Sequence, residues 1–141
     1  MHTMHTIYTT TAHATGDGRN GRATTGDGLL DIELRIPKEM GGAGGHTNPE
    51  QLFAAGYAAC FHSALKLVAG QAGANVNGTE VSATVGLGTT DTGAFNISVE
   101  LDVAMPNVDR ATAEQLVATA HQVCPYSNAT RGNVDVKLSI V

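Results

Sequence analysis

The sequence predicts an α+β domain, with antiparallel strands packed on helices, and three observations lead there. Runs with period-2 alternation of apolar and polar residues recur at 29–36, 81–87, 95–103 and 134–141. One stretch at 48–70, NPEQLFAAGYAACFHSALKLVAG, is too long for a strand and almost uninterruptedly apolar. Clusters of glycine and proline separate these segments. Strands that gather in groups on either side of helices, rather than alternating with them one by one, point to α+β.

Residues 7–15 are rich in Thr, with Ile7 and Tyr8, a composition that suits an edge strand. GDGRNG at 16–21 is a turn whose glycines permit positive φ, so Arg19 sits at a tight connection. Residues 22–25 form a short returning strand, and GDG at 26–28 turns the chain again. In LLDIELRI, Leu30, Ile32, Leu34 and Ile36 share one face and Asp31, Glu33 and Arg35 the other, a half-buried strand that Pro37 ends. GGAGG at 41–45 is a flexible approach to the long helix. There Asn48 is a good N-cap, Pro49 suits the first helical position and Gln51 occupies the capping-box position. From Leu52 to Ala69 the only strongly polar side chains are His62, Ser63 and Lys66, so most of the helix surface, not one stripe, is expected to be buried.

After a loop at 69–78, Val81, Ala83, Val85 and Leu87 alternate in one run, and Phe95, Ile97, Val99, Leu101 and Val103 in the next. TTDTG at 89–93 reverses the chain, which makes these two runs an antiparallel pair. Pro106 stops the second strand. Asp109 caps a helix to about Val123, with Leu116, Val117 and Ala120 on its apolar face. Pro125 biases Cys124 away from helical geometry, and a short helical piece runs from Pro125 toward Gly132. VDVKLSIV closes the chain as a strand. The order is βββαββαβ in a single domain, 1–141, without internal repeats.

A chain of 141 residues suits one domain with one core. Charged residues make up only 15%, against roughly 25% in typical soluble domains. A surface so poor in charge suggests that another copy of the chain covers part of it, a homo-oligomer. The net charge of −5 and the lack of any Lys/Arg cluster exclude a phosphate-tracking nucleic-acid surface. The N-terminal MHTMHTIYTTTAHATG has neither the basic nor the apolar region of a secretory signal, so a cytoplasmic location is expected. The helix at 48–70 is interrupted by polar residues and built largely of Ala and Gly, which reads as a buried helix rather than a membrane span. In a reducing compartment two cysteines point to redox chemistry, metal ligation or plain packing before a permanent disulfide.

Cys60 stands about twelve residues beyond the helix cap, roughly 18 Å along the axis. A lone cysteine on an apolar helix is more often a small buried hydrophobe with a raised pKa, and reactivity requires a nearby cation. Cys124 precedes Pro125, where it can cap the CPYSNATRG segment and have backbone N–H groups near its sulfur; the bland alternative is a corner cysteine. The distance between them in sequence rules out a C-x-x-C redox motif. Glu50 is placed to interact with the helix dipole, or else to grip Arg19 in a bidentate pair; Arg19 alone is ordinarily a solvated turn arginine. Cys60, His62, His121 and Cys124 together offer the sulfur and nitrogen set of a tetrahedral zinc site. However, Cys60 and His62 point about 200° apart on a helix, which argues against a shared ion. His2, His5, His13 and His46 have no ligand spacing.

NPEQLFAAGYAACF at 48–61 and VCPYSNATRGNVDV at 123–136 closely resemble the organic hydroperoxide resistance (Ohr) branch of the Ohr/OsmC family. The GDGRNGR turn and the glycine-rich approach to the first motif also match in place, so the resemblance spans essentially the whole chain. The long CPYSNATRGN match and the compact length favour Ohr over OsmC-type relatives, which share the cysteines. The His-rich start and His46 depart from the family pattern without touching any assigned role.

The resemblance implies an intertwined homodimer in which antiparallel sheets wrap central helices and two active sites lie at the subunit interface. It implies a thiol peroxidase for organic hydroperoxides, including those of fatty acids, with no metal or haem and no bound cofactor. By position, Cys60 matches the peroxidatic cysteine and Cys124 the resolving one. Arg19 matches the arginine beside the thiolate, and Glu50 the glutamate that holds it. The reductant in the family is a dihydrolipoyl group on a lipoylated protein. An apolar pocket around Cys60, formed by Phe53, Tyr57 and Phe95, is expected to favour apolar peroxides. The competing expectations are a non-catalytic carrier of apolar ligands on the same fold and a zinc-bearing structural domain.

Overall fold

The structure is a computed structural model that describes residues 3–141; His2 lies outside them. The described residues divide between Pro49 and Glu50 into two compact units.

The first unit is a three-stranded antiparallel sheet, β1 (Ala12–Asp17), β2 (Asn20–Thr25) and β3 (Asp31–Glu33), in the order β1-β2-β3. The β1–β2 connection is the two-residue turn Gly18-Arg19 between the paired Asp17 and Asn20. Gly18 has φ 61, the positive value that a two-residue hairpin turn needs at its first central position. The strand expected from residue 7 starts instead at Ala12. Ala12 already pairs with Thr25, the last residue of β2, so β2 offers residues 3–11 no further ladder partners. The strand expected at 29–36 is likewise shorter. Leu34 forms a parallel bridge with Thr47 and the Arg35 N–H donates to the Thr47 carbonyl, because Pro37 and the glycine loop turn the chain back beside it. Arg22 pairs with Asp31 at 2.7 Å and Glu33 with Arg35 at 3.3 Å on the surface, contacts that add little stability.

The second unit holds α1 (Pro49–Gln71) from its second residue on, the hairpin β4 (Glu80–Thr89) and β5 (Phe95–Ala104), then α2 (Arg110–Val123), α3 (Pro125–Thr130) and β6 (Val136–Ile140). Pro49 starts α1 and the Asp109 side chain caps α2 by accepting from the Thr112 N–H, both as the sequence predicts. β4 and β5 pair antiparallel as expected, in a register that sets Val85 opposite Val99 and Ala83 opposite Leu101. β6 lies on the other side of β5 and runs parallel to it, whereas all strands were expected to be antiparallel. The chain leaves β5 and returns through two helices, a crossover that brings it back at the same end of the sheet.

Val99, Leu101 and Val103 are the buried centre of this sheet, and Val81, Ala83, Val85, Val136, Leu138 and Ile140 flank them on the same face. Against that face pack Phe61, Leu65 and Val68 of α1 and Ala113, Leu116, Val117 and Ala120 of α2. Removing a side chain such as Leu65 from this core would cost about 2–5 kcal/mol. α1 is long and apolar enough to cross a membrane by length and composition, yet its buried residues, from Tyr57 to Ala69, form the core of this unit. Within one chain only one face of α1 is covered; Ala55, Ala59, Ser63, Lys66 and Leu67 are exposed. The expected burial of most of the helix surface is not met within one chain. That expectation rested on the scarcity of strongly polar side chains, and alanines can face solvent at little cost.

Candidate active site

The second unit brings both cysteines together. Cys60 is in the middle of α1, partly buried, beside the fully buried Phe61. Cys124 ends α2 and begins α3. Its φ of −61° and ψ of 123° are the extended geometry that a following proline imposes, and this breaks the helix into two at the sulfur. The Cys124 N–H still donates to the Ala120 carbonyl at 2.8 Å, and its own carbonyl accepts from the Asn128 N–H at 3.0 Å. The corner is therefore fixed on both sides. Its thiol is fully buried, and the two sulfurs are 3.7 Å apart, both as free thiols.

Burial pushes the Cys60 thiol pKa up, and the nearby Cys124 adds to the rise, while the Tyr126 backbone N–H on its sulfur acts in the opposite direction. The net direction is up, so these groups by themselves keep the sulfur protonated at neutral pH. An additional positive charge is what a reactive thiolate here requires.

Tyr126 follows Pro125, and its ring lies against α1. A Cβ at Gly56 would come within 3.2 Å of the Tyr126 hydroxyl, so glycine at this point of the helix permits the approach. Phe53, Tyr57 and Tyr126 form an aromatic group with centroids 5.7 to 6.0 Å apart. Phe53, Tyr126, Ala129 and Thr130 line a mostly apolar cavity of about 220 Å³. Phe53 precedes Cys60 by two helical turns and thus shares its side of α1. Tyr57 is fully buried behind that lining. Phe95, expected with them, is 74% exposed at the loop end of β5 and takes no part in this group within the chain.

Arg19 is in the β1–β2 turn of the first unit, and Glu50 in the first turn of α1 at the start of the second. Farther along the second motif, the Arg131 guanidinium donates to the His121 carbonyl and to Asn128 Oδ1, fastening the end of α3 to the last turn of α2. Burial, then the Arg131 charge, lowers the His121 pKa. Among the described residues no three His, Cys, Asp or Glu side chains gather as a metal site would need.

Sequence reasoning missed Gly56, Tyr126, Ser127 and Thr130. A glycine inside an otherwise strong helix was the available signal, because it marks a close approach by another part of the chain.

Comparison with known proteins agrees with this geometry. The OsmC-like protein family matches residues 41–139. The chain belongs to that family. An organic hydroperoxide resistance protein of Xanthomonas axonopodis pv. citri is 55% identical over 136 residues, covering 95% of this chain and 94% of its own. The crystal structure of an organic hydroperoxide resistance protein from Elizabethkingia anophelis superposes with a TM-score of 0.93 at 51% identity, covering 97% of this chain and 98% of that one. Its counterpart from Legionella pneumophila gives 0.92 at 51% identity, over 96% and 98% of the two chains. These relatives place the chain in the Ohr branch of the OsmC-like family and share its α+β fold.

Proposed function

We propose that the protein is a cysteine-based peroxidase that detoxifies organic hydroperoxides, fatty-acid hydroperoxides among them, with Cys60 as nucleophile and Cys124 as resolving thiol. The observation that carries this reading is the 3.7 Å separation of two free sulfurs, one of them partly accessible. The naming of the relatives for organic hydroperoxide resistance supports it.

In the first step the Cys60 thiolate attacks the terminal peroxide oxygen and the O–O bond breaks. Cys60 becomes a sulfenic acid, and the alkoxide takes up a proton to leave as the alcohol. In the second step the Cys124 sulfur attacks the Cys60 sulfur. An S–S bond forms, and the sulfenic hydroxyl leaves with the thiol proton as water. An external dihydrolipoyl dithiol, carried on a lipoylated protein, then exchanges with the disulfide, returning both thiols and leaving as the lipoyl disulfide.

Because burial raises the Cys60 pKa, the first step needs a cation, and each unit of pKa offset is worth about 1.4 kcal/mol. Arg19 is the group assigned to supply it, and to stabilise the charge on the departing oxygen; Glu50 is assigned to orient the guanidinium. The support for both is their position in the motifs that match the Ohr pattern. The cavity formed by Phe53 and Tyr126 would receive the alkyl part of the peroxide. The working form is a homodimer in the cytoplasm, and the exposure of Ile7, Leu29, Leu67 and Phe95 in one chain supports a covering partner.

The test is peroxide turnover with dihydrolipoamide as sole electron donor. The expected result is a kcat/KM for cumene hydroperoxide well above that for hydrogen peroxide. Equal efficiency with the two would remove the assignment of the cavity, and no turnover of either would remove the peroxidase. The same cavity would serve a non-catalytic carrier of apolar ligands, for which both thiols survive peroxide.

A further inference from the structure

Three hydroxyls connect the helices that carry the two cysteines. Tyr57 lies one turn before Cys60 on α1, and its side chain is fully buried. Its Oη is 2.9 Å from Ser127 Oγ and 3.2 Å from Thr130 Oγ1, both buried on α3. Thr130 Oγ1 also bonds the carbonyl oxygens of Tyr126, at 3.0 Å, and Ser127, at 3.2 Å. Thr130 Oγ1 has one proton, which goes to a backbone carbonyl, so it accepts from Tyr57 Oη. Tyr57 Oη then accepts from Ser127. Every hydroxyl is satisfied, which matters because a buried hydroxyl without a partner keeps the full cost of its desolvation.

We infer that Tyr57 is a positioning residue for disulfide closure: its hydroxyl, tied to Ser127 and Thr130, holds α3 in one register against α1 and so keeps Cys124 within reach of Cys60. Under the peroxidase reading above, on which this rests, the Cys60 sulfenic acid waits for Cys124, and the sulfurs must close from 3.7 Å to the about 2.0 Å of an S–S bond. The lock is placed for that task. Tyr57 precedes Cys60 by one helical turn, and Ser127 follows Cys124 by the same number of residues. The Tyr126 backbone N–H on the Cys60 sulfur is a further tie between α3 and α1. The edge-on contact of the Tyr57 and Tyr126 rings, with centroids 5.7 Å apart, is largely apolar packing, whereas hydrogen bonds impose direction and distance. A phenylalanine would fill the same volume without the burden of burying a hydroxyl, so packing alone does not account for tyrosine.

The experiment is a single turnover of the reduced, full-length protein with one equivalent of tert-butyl hydroperoxide, comparing the native chain with Tyr57→Phe and Ser127→Ala. Peroxide consumption, sulfenic acid trapped by dimedone, and Cys60–Cys124 disulfide are followed separately. In both variants closure is expected to slow by about tenfold, equivalent to about 1.4 kcal/mol of barrier, with more dimedone adduct. Peroxide consumption should change much less. Tyr57→Phe removes both hydrogen bonds of the Tyr57 hydroxyl and Ser127→Ala one of the same two, so the double variant should be little slower than Tyr57→Phe alone. Diamide-driven closure, which needs no peroxide chemistry, should slow by a similar factor. Unchanged closure in both variants, even with a lowered Tm, would reduce the network to a structural role; if Tyr57→Phe does not fold, Ser127→Ala decides. A native protein that consumes no peroxide, but in which diamide closure still responds to the substitutions, would overturn the peroxidase reading and leave the positioning intact.

Discussion

The two units of the chain differ in what they build. The second unit encloses a continuous core of helix and sheet residues and holds both sulfurs at 3.7 Å within it. The first is a small sheet in which every residue of β1 is exposed and Arg19 stands on a two-residue turn. The difference separates two requirements of the proposed chemistry. Bringing the sulfurs together is a matter of packing, and the second unit does it by itself. Activating one of them is a matter of charge, because the groups around Cys60 leave its thiol pKa raised.

The largest effects are expected in the second unit. Cys60→Ser should abolish peroxide reduction in a protein that still folds, as shown by an unchanged circular dichroism spectrum. Cys124→Ser should consume one equivalent of peroxide and then stop, with the sulfenic acid trapped by dimedone. Next comes the first unit. Arg19→Ala should slow peroxide consumption at neutral pH by about tenfold for each unit by which the Cys60 pKa rises. The sign follows from the reactive form: without the cation the thiolate appears only at higher pH, so the rate–pH profile moves upward. Closure by diamide in that variant should be nearly native, since the sulfur geometry belongs to the other unit.

A smaller effect sharpens the role of the cavity. Phe53→Ala should lower kcat/KM for cumene hydroperoxide by roughly tenfold, the scale of losing one aromatic contact, and leave hydrogen peroxide unaffected. The smallest is Asp109→Ala. The Asp109 carboxyl is held below its ordinary pKa by its hydrogen bonds with Thr112. A depressed carboxylate pKa stabilises the fold above the unfolded value, and this is lost as pH falls through the folded one. The variant should therefore melt slightly lower at pH 7, with the difference shrinking below the usual carboxylate range.

Features written in local sequence were legible. Asp109 announces its cap, Pro125 forces Cys124 into extended geometry, and the alternation of 81–87 and 95–103 around a turn gives the antiparallel β4–β5 pair. Features that depend on the path of the chain in space were not. The parallel direction of β6 follows from a crossover through α2 and α3, and alternation reads the same in either direction. Phe95 has the right parity for the inner face, but β5 runs from exposed at Phe95 to buried at Val103, and parity carries no information about that gradient. The contacts of Tyr57 with Ser127 and Thr130 join residues seventy or more positions apart in chemistry that any surface hydroxyl could display. Only the family resemblance singled out Cys60 and Cys124 as a pair, and only the fold gives their separation.

The most direct test of the central claim, that Cys60 and Cys124 form a peroxide-driven redox pair, is a thiol count. Reduced protein treated with one equivalent of tert-butyl hydroperoxide should rapidly lose both free thiols. Peptide mapping should find Cys60 joined to Cys124, and dihydrolipoamide should restore both. Two thiols that persist through the treatment would contradict the account.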